Sequence, residues 1–424
     1  MKICFVQPNT DYQIEKNRHA LALTFPQLIS DLNIEETTYV VYIHGKTNRS
    51  FNSFLSEENP THVFITAISS TFPYAEDIAK IAKKNNCIVV LGGLFASINY
   101  KILSQNFNCF DYIVVGHPNS TLLSYIVEAP LAPKCIVYKT SSNYHKALGD
   151  IITDSRFSEY YSEQDTVCYE LSNGCIYNCS FCTMRHAFPN QKLYNRTINI
   201  VQQDICKLSR MWNKLKLIDD DISLSITTLK KLNLNMFNEV IAETRVDNIS
   251  EYNMQVFKSV GITHLIVGIE SFDINFLKDS RKTPNPETWN NRIQNAIVLC
   301  QKYNICIRPV IMITNEYTNI NAIKHLGLQL YGWTPQNNIE VLCSFYTPHP
   351  GMVTKSQCKR LLTNDLKYFD HLHCVWLPPL IKYHEKNALM EIYNEIVHIT
   401  KSHEYNPPLD FFFKNKEEYN CFFT

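Results

Sequence analysis

The chain has no excess of either charge: 40 Lys and Arg balance 40 Asp and Glu over 424 residues. A protein that holds nucleic acid along its surface needs a basic excess to neutralise phosphates, so general nucleic-acid binding is excluded and only a local patch is left for it. No run of about 18 apolar residues occurs, which removes a membrane-spanning helix. A secretory leader is not expected from the first residues. Met1-Lys2-Ile3-Cys4-Phe5-Val6-Gln7-Pro8 offers one Lys, a short apolar run and a Pro, and suits a first β-strand better. With 15 cysteines and no leader, the expected compartment is reducing and cytoplasmic, and most thiols should be small core residues or metal ligands. Low-complexity tracts and fixed-period repeats are also absent. What is present is a globular composition, 45% hydrophobic and 19% charged, with length for two or three domains at about 150 residues each.

The first 140 residues alternate short β-branched runs with amphipathic stretches. Strands are predicted at Lys2–Gln7, Thr37–Ile43, His62–Ser69, Cys87–Leu91, Asp111–Val115 and Cys135–Tyr138, with helices such as Phe72–Asn85 and Thr121–Glu128 between them. Unbroken apolar runs such as Cys87-Ile88-Val89-Val90-Leu91 belong to strands covered on both faces, hence to a parallel sheet. Residues 1–140 therefore read as a doubly wound, Rossmann-like α/β domain. Gly92-Gly93 and Gly116 directly follow two of the strands. Bare backbone there either lies against a ligand at the carboxyl edge of the sheet or simply makes the βα turn. Residues 141–165 are polar and aperiodic and read as a linker. Over 166–350 a second series follows, with strands at Val167–Leu171, Leu215–Ile218, Glu239–Glu243, His264–Gly268, Ile307–Ile313 and Glu340–Phe345 and helices such as Ser250–Val260 and Glu287–Tyr303. Six such units predict a partial (β/α)6 barrel. Residues 351–424, rich in Tyr, Phe, His and Pro, form a C-terminal extension, either a cap over the barrel mouth or a packing appendage.

The sharpest feature follows the first strand of that second series: Gly174-Cys175-Ile176-Tyr177-Asn178-Cys179-Ser180-Phe181-Cys182. Three cysteines at C-x3-C-x2-C spacing on one loop can hold three irons of a [4Fe–4S] cluster and leave the fourth open to a ligand. A structural zinc would need a fourth donor, which His186 could supply, although zinc sites usually pair their ligands and no second pair follows. No further three-cysteine set occurs near the C-terminus. Cys4, Cys87 and Cys109 show no metal-ligand pattern in the first domain.

The loop resembles the cluster loop of the radical S-adenosylmethionine (SAM) enzymes, whose pattern is C-x3-C-x-aromatic-C, with Phe181 as the aromatic. The resemblance implies that Cys175, Cys179 and Cys182 bind the cluster, that SAM chelates the fourth iron, and that its reductive cleavage yields a 5′-deoxyadenosyl radical. Further segments are similar in the same order. Asp219-Asp220-Asp221 resembles an acidic motif contacting the SAM amino group. Arg245 ends the third strand, and Gly268-Ile269-Glu270-Ser271 resembles a segment near the SAM ribose, which makes Arg245, Glu270 and Ser271 SAM-binding candidates. Arg196 matches an Arg ahead of the first helix, and Thr347-Pro348-His349-Pro350-Gly351 matches the end of the last strand in one subgroup. The fifth strand departs from the pattern: Ile311-Met312-Ile313-Thr314-Asn315-Glu316 lacks the usual Gly and Pro beside the adenine.

An α/β domain ahead of such a barrel resembles the cobalamin-binding subgroup. Ile68-Ser69-Ser70-Thr71-Phe72-Pro73, Val90-Leu91-Gly92-Gly93-Leu94-Phe95-Ala96 and Asp111-Tyr112-Ile113-Val114-Val115-Gly116 are similar to its post-strand segments. By that resemblance Ser69, Ser70, Gly92, Gly93 and Gly116 lie against the corrin. Two departures stand out. His117 replaces the usual Glu after Gly116, and the D-x-H-x-x-G loop that gives cobalt a histidine is absent, His19 being the nearest approach. Cobalamin without a protein imidazole on the cobalt is the expectation.

The function so implied is a cobalamin-dependent radical SAM methyltransferase that modifies an unactivated carbon of a small-molecule or peptide substrate, with a flavodoxin- or ferredoxin-like reductant as partner. A radical SAM cyclase, rearrangement or epimerisation enzyme without methylation is the alternative. A non-catalytic iron–sulfur or zinc module is the alternative of another class.

Overall fold

Successive side chains of a strand point to opposite faces, and in the N-terminal sheet each face has its own apolar layer. Ile3, Phe5, Phe64, Val90 and Val114 pack into one, and Cys4, Val6, Val63, Ile65, Val89, Leu91 and Ile113 into the other. A computed structural model of the chain describes residues 1–15, 23–32, 38–46, 49–129, 135–140, 146–162, 166–189, 192–333, 338–370 and 373–400. His19 and the aromatic tail Phe411–Phe413 lie outside these residues. The first sheet comprises β1 (Lys2–Gln7), β2 (Thr38–Ile43), β3 (His62–Thr66), β4 (Ile88–Gly92), β5 (Tyr112–Val115) and β6 (Ile136–Lys139). All pairings are parallel, in the order β2-β1-β3-β4-β5-β6. Winding changes direction between β1 and β3, the position where doubly wound sheets open a crevice at their carboxyl ends. The strand expected over His62–Ser69 stops at Thr66, because Phe72 N donates to Ile68 O at 3.0 Å and Ile68 N to Thr71 Oγ1 at 3.1 Å, turning the chain into the helix Phe72–Lys84.

The second sheet is built from β7 (Thr166–Tyr169), β10 (Lys214–Leu217), β11 (Glu239–Arg245), β12 (His264–Glu270), β13 (Cys306–Met312) and β14 (Leu342–Ser344), all parallel and in sequential order. This is the open six-stranded barrel that the β/α rhythm predicts. Its helices carry the expected stop signals. In Glu251–Val260, Ser250 caps the start by accepting from Asn253 N, and Gly261 ends it at φ 104°, where a Cβ would come within 2.9 Å of Asn235 N. Between β7 and β10 a short antiparallel pair, β8 (Ser172–Asn173) and β9 (Tyr194–Asn195), closes the base of the cysteine loop. Arg196 N donating to Leu171 O at 2.8 Å extends that clasp.

The stretch expected to be a linker is helical where it is described, at Gly149–Ile152 and Ser155–Ser162. Asp204, fully buried, accepts from Leu148 N at 2.9 Å, from Gly149 N at 2.7 Å and from the Tyr169 hydroxyl at 2.7 Å. A carboxylate distant in sequence thus organises a segment that has no period of its own. Leu148, Ile152 and Phe157 belong to one continuous core with the Ile3/Phe5 face and the barrel interior, and Tyr39 and Phe157 pack with ring centroids 5.6 Å apart. Burying one such aromatic contributes about 1.5–3 kcal/mol, so this segment holds the two sheets together rather than tethering them.

Past the barrel, residues 345–351 turn against the first domain. His349 Nδ1 is 3.0 Å from Ser69 Oγ, and Asn99 Nδ2 donates to Pro350 O at 3.2 Å. Gly351, at φ 82°, lets the chain pass within reach of Ile98 and Asn99. The helix Lys386–Thr400 packs beside Ile320–Tyr331, with Phe345 and Tyr393 at 4.1 Å, along the barrel flank. Among the described residues no helix is long and apolar enough to cross a membrane, and every cysteine is free.

Candidate active site between the two sheets

From the clasp of β8 and β9, residues 174–189 leave the sheet as an excursion beside the ends of the barrel strands. Gly174 begins it at φ 96°, a conformation that L side chains rarely adopt. The loop is pinned from inside by Ser180 N donating to Ser280 O at 2.9 Å and by Phe181 stacked on Phe276 at 5.9 Å. The aromatic of the motif is therefore a packing anchor for the loop. Cys175, Cys179 and Cys182 line a cavity of about 620 Å³ together with Tyr177, Asp220, Arg245, Glu270 and Lys282. Burial pushes the Cys175 thiol up to about 11 and raises Cys182 as well, so a bound cation is what would draw these sulfurs into the thiolate form.

Three thiols on one loop can serve an ion or a cluster, and a structural zinc would take a fourth donor. His186, the fourth donor of a zinc site, turns instead to Ser180 O at 2.9 Å.

Arg245 closes one wall. Its guanidinium lies 3.8 Å over the Tyr177 ring, Nη1 donates to Cys179 Sγ at 3.4 Å, and the fork pairs with both oxygens of Asp247 at 2.9 and 2.8 Å. Burial alone would lower its pKa, but the Asp247 carboxylate overrides it and holds the group charged. Opposite, β12 and β13 slip register between Gly268 and Glu270, and Glu270 is left at φ 68°. A bulge of this kind re-aims a side chain, and the strain costs on the order of 1–3 kcal/mol. The gain is that Glu270 faces the cavity, 3.1 Å from Lys282 Nζ. Gly268 makes room for the pair, since a Cβ there would stand 2.7 Å from Glu270 Oε1.

The three aspartates after β10 have different fates. Asp219 is buried and accepts from Leu171 N at 3.0 Å, Ser172 N at 2.7 Å and Ser172 Oγ at 2.6 Å. Asp221 is buried and takes Ser223, Thr244 and Asn248 as donors. Both carboxylates are held within the turn and lie outside the lining of the cysteine cavity. Ser271 lines a separate pocket beside Asn315, whose amide donates to it at 3.2 Å. Asp220 alone lines the cysteine cavity; its residue is exposed to solvent, and the partial desolvation of its carboxyl in the cavity, then Glu243 and Glu170, pushes it up to about 6.

That shift has a sign that can be checked. A carboxyl raised in the folded chain favours folding below its unfolded pKa and loses that contribution as pH rises through its folded value. Between pH 4 and 6 the apo chain should therefore lose stability through Asp220. The cavity admits water, so the loss is on the order of 1 kcal/mol. In Asp220→Asn this part of the slope should vanish, read as the difference between urea midpoints at the two pH values; an unchanged slope would show that the carboxyl titrates normally.

A second cavity of about 410 Å³ opens at the carboxyl edge of the first sheet. Gly92, Gly93 and Gly116 line it, with Thr66, Ser97 and the apolar Phe25, Leu28, Phe64, Val90 and Val114. A Cβ on Gly92 would meet nothing within 4 Å, so that glycine leaves empty space rather than serving internal packing. Gly93 and Gly116 are turn glycines, at φ 90° and 92°, where a Cβ would strike Thr66 and Thr140. Ser69 and Ser70 are buried and lie outside the lining of this cavity, Ser69 being joined to His349.

No local pattern marks the wall between the cavities. Met184, Phe188 and Asp220 line both. His117, on the second cavity, stacks on Phe188 with centroids 4.9 Å apart, and burial lowers its imidazole to about 4, which keeps it neutral. Glu170 also lines the second cavity, bound to Arg196 Nη2 at 2.9 Å and to Gln27 of the first domain.

No protein-family model and no curated protein sequence matches this chain. Its fold is that of solved cobalamin-dependent radical SAM enzymes. The radical SAM methyltransferase TsrM of Kitasatospora setae, solved with tryptophan and a SAM analog bound, superposes at TM-score 0.72 and 14% identity over 92% of this chain and 88% of that one. A second structure of TsrM, holding cobalamin and a [4Fe-4S] cluster, superposes at 0.71, also at 14% identity, over 93% and 90%. OxsB, a cobalamin-dependent SAM radical enzyme with aqua-cobalamin and SAM bound, superposes at 0.58 and 13% identity over 95% of this chain and 56% of its own.

Proposed function

We propose that the chain is a cobalamin-dependent radical SAM methyltransferase acting on an unactivated carbon. The observation that carries this is the common wall of Met184, Phe188 and Asp220: a cavity rimmed by three cysteines adjoins an apolar, glycine-edged cavity at the sheet's carboxyl edge. Cys175, Cys179 and Cys182 hold a [4Fe–4S] cluster, and Asp220, Arg245 and Glu270 face SAM beside it. Gly92, Gly93 and Gly116 face the corrin. Bound there, the cluster supplies the electron that cleaves SAM, and cobalamin supplies a methyl carrier. The chain's part is to orient both. Lys282 fixes Glu270, Asp247 fixes Arg245, and the aromatic wall of Phe188 and His117 keeps water from the junction.

Methyl-deuterated SAM tests the reaction. With a reductant and the chain's own substrate, the product should gain a deuterated methyl group, and S-adenosylhomocysteine and 5′-deoxyadenosine should form in equal amounts. Deoxyadenosine without label in the product would replace methylation by cyclisation or rearrangement.

Cofactor loading is read independently. The purified chain should take up cobalamin, seen by visible absorption. The cob(II)alamin form should show no nitrogen hyperfine splitting from a protein imidazole, because His117 is held face-on to Phe188. A splitting that disappears in His117→Ala would overturn the ligand assignment.

A further inference from the structure

The strands of the barrel begin on the face opposite the cavities, where the chemistry is not. Conservative packing is what that end requires. Three metal-ligating side chains nevertheless converge there. His264 opens β12 and Cys306 opens β13, and the register pairs them directly, His264 with Cys306. Glu340 leads into β14, held in place by Glu340 N donating to Ile307 O at 2.9 Å and Ile307 N to Asn338 O at 2.8 Å. One donor atom from each of the three lies within 4.8 Å of the other two, the only such set among the described residues.

We propose that His264, Cys306 and Glu340 form a binding site for a thiophilic divalent cation, zinc by preference, independent of the cluster and corrin cavities. Imidazole, thiolate and carboxylate together select a borderline-soft ion over magnesium or calcium, which take oxygen alone. The fourth position is open to water, since His264 and Cys306 are half-buried and Glu340 is exposed. In the empty site the Cys306 sulfur stands within 4.8 Å of a Glu340 oxygen. On binding, the ion takes the place of the thiol proton, which leaves to solvent. Neighbouring groups support the ligands. Thr263 Oγ1 lies 2.9 Å from His264 Nδ1 and orients the ring. Arg308 bonds one oxygen of Glu340 at 2.6 Å and lies 3.7 Å from Glu239, which is itself 3.8 Å from His264 Nδ1. Lys214 also stands 3.7 Å from Glu239, so a dication, one thiolate, two carboxylates, one guanidinium and one ammonium sum to +1, against +2 for the ion alone. The ion would tie the starts of three strands, the last of which carries residues 345–351 to the first domain.

Cobalt(II) reports on the site through thiolate-to-metal absorption. It is titrated anaerobically into the full-length chain carrying Cys175→Ala, Cys179→Ala and Cys182→Ala, so that no loop thiolate competes. The expected result is one equivalent bound with a thiolate charge-transfer band, weakened about tenfold or more in affinity by His264→Ala and by Cys306→Ser. Cys206→Ser, which removes an exposed thiol, should leave the band unchanged. If the triple variant fails to fold by circular dichroism, the titration is made on the cluster-loaded wild-type chain, whose loop sulfurs are held by iron. A band that survives Cys306→Ser, or a folded chain that binds no cobalt through sulfur, would overturn the proposal.

Discussion

Alanine at Cys175, Cys179 and Cys182 together is expected to abolish iron and sulfide uptake by the reconstituted chain, and with it all reductive cleavage of SAM. The fold should survive. Cys175 and Cys182 are half-buried on the cavity rim, while the loop's shape comes from the β8–β9 clasp, the Ser180–Ser280 bond and the Phe181–Phe276 stack. None of these needs the sulfurs. Iron and sulfide counted on the folded variant decide the matter: a full complement would sink the cluster assignment, and the loss of one zinc per chain relative to the wild type, with no iron lost, would favour an ion on the loop instead.

The second large effect is expected at Arg196. Its side chain is 2% exposed and neutralises Glu170, which is 10% exposed and reaches across to Gln27 of the first domain. Removing one member of a buried pair leaves a bare charge, at a cost of about 3–5 kcal/mol. Arg196→Met should lose that much in urea unfolding at pH 7. Burial already raises Glu170 despite the arginine, and without it the carboxyl would rise further. The deficit should therefore shrink as pH falls toward 4 and the carboxyl takes a proton in the folded chain. Adding Glu170→Gln should restore much of the loss. A deficit independent of pH and untouched by the second substitution would point to lost packing of the arginine's apolar stem.

These two cases show where the sequence was legible. That the three cysteines meet on one cavity could be read because they sit on one loop at close spacing. The parallel strands could be read because both faces are buried, so Cys87–Leu91 has no polar alternation to confuse. Where partners are distant, nothing local marked them. Asp219, Asp220 and Asp221 look alike in the sequence, but only the turn after β10 decides that the outer two are spent on Leu171, Ser172 and Thr244. Helices at 149–162 escaped notice because Asp204 supplies their anchoring acceptors. Glu170 and Lys282 acquire meaning only through Arg196 and Glu270, residues 26 and 12 positions away.

The single apolar layer that runs from Ile3 and Phe5 through Phe157 into the barrel has a consequence for scale. Two sheets that share a core cannot slide or swing against each other without opening it to water, which at about 25 cal/mol per Å² quickly exceeds thermal energy. The distance between the two cavities is then a constant of the molecule. Whatever the two cavities hold is kept at one separation, set by the shared core and not by the occupants.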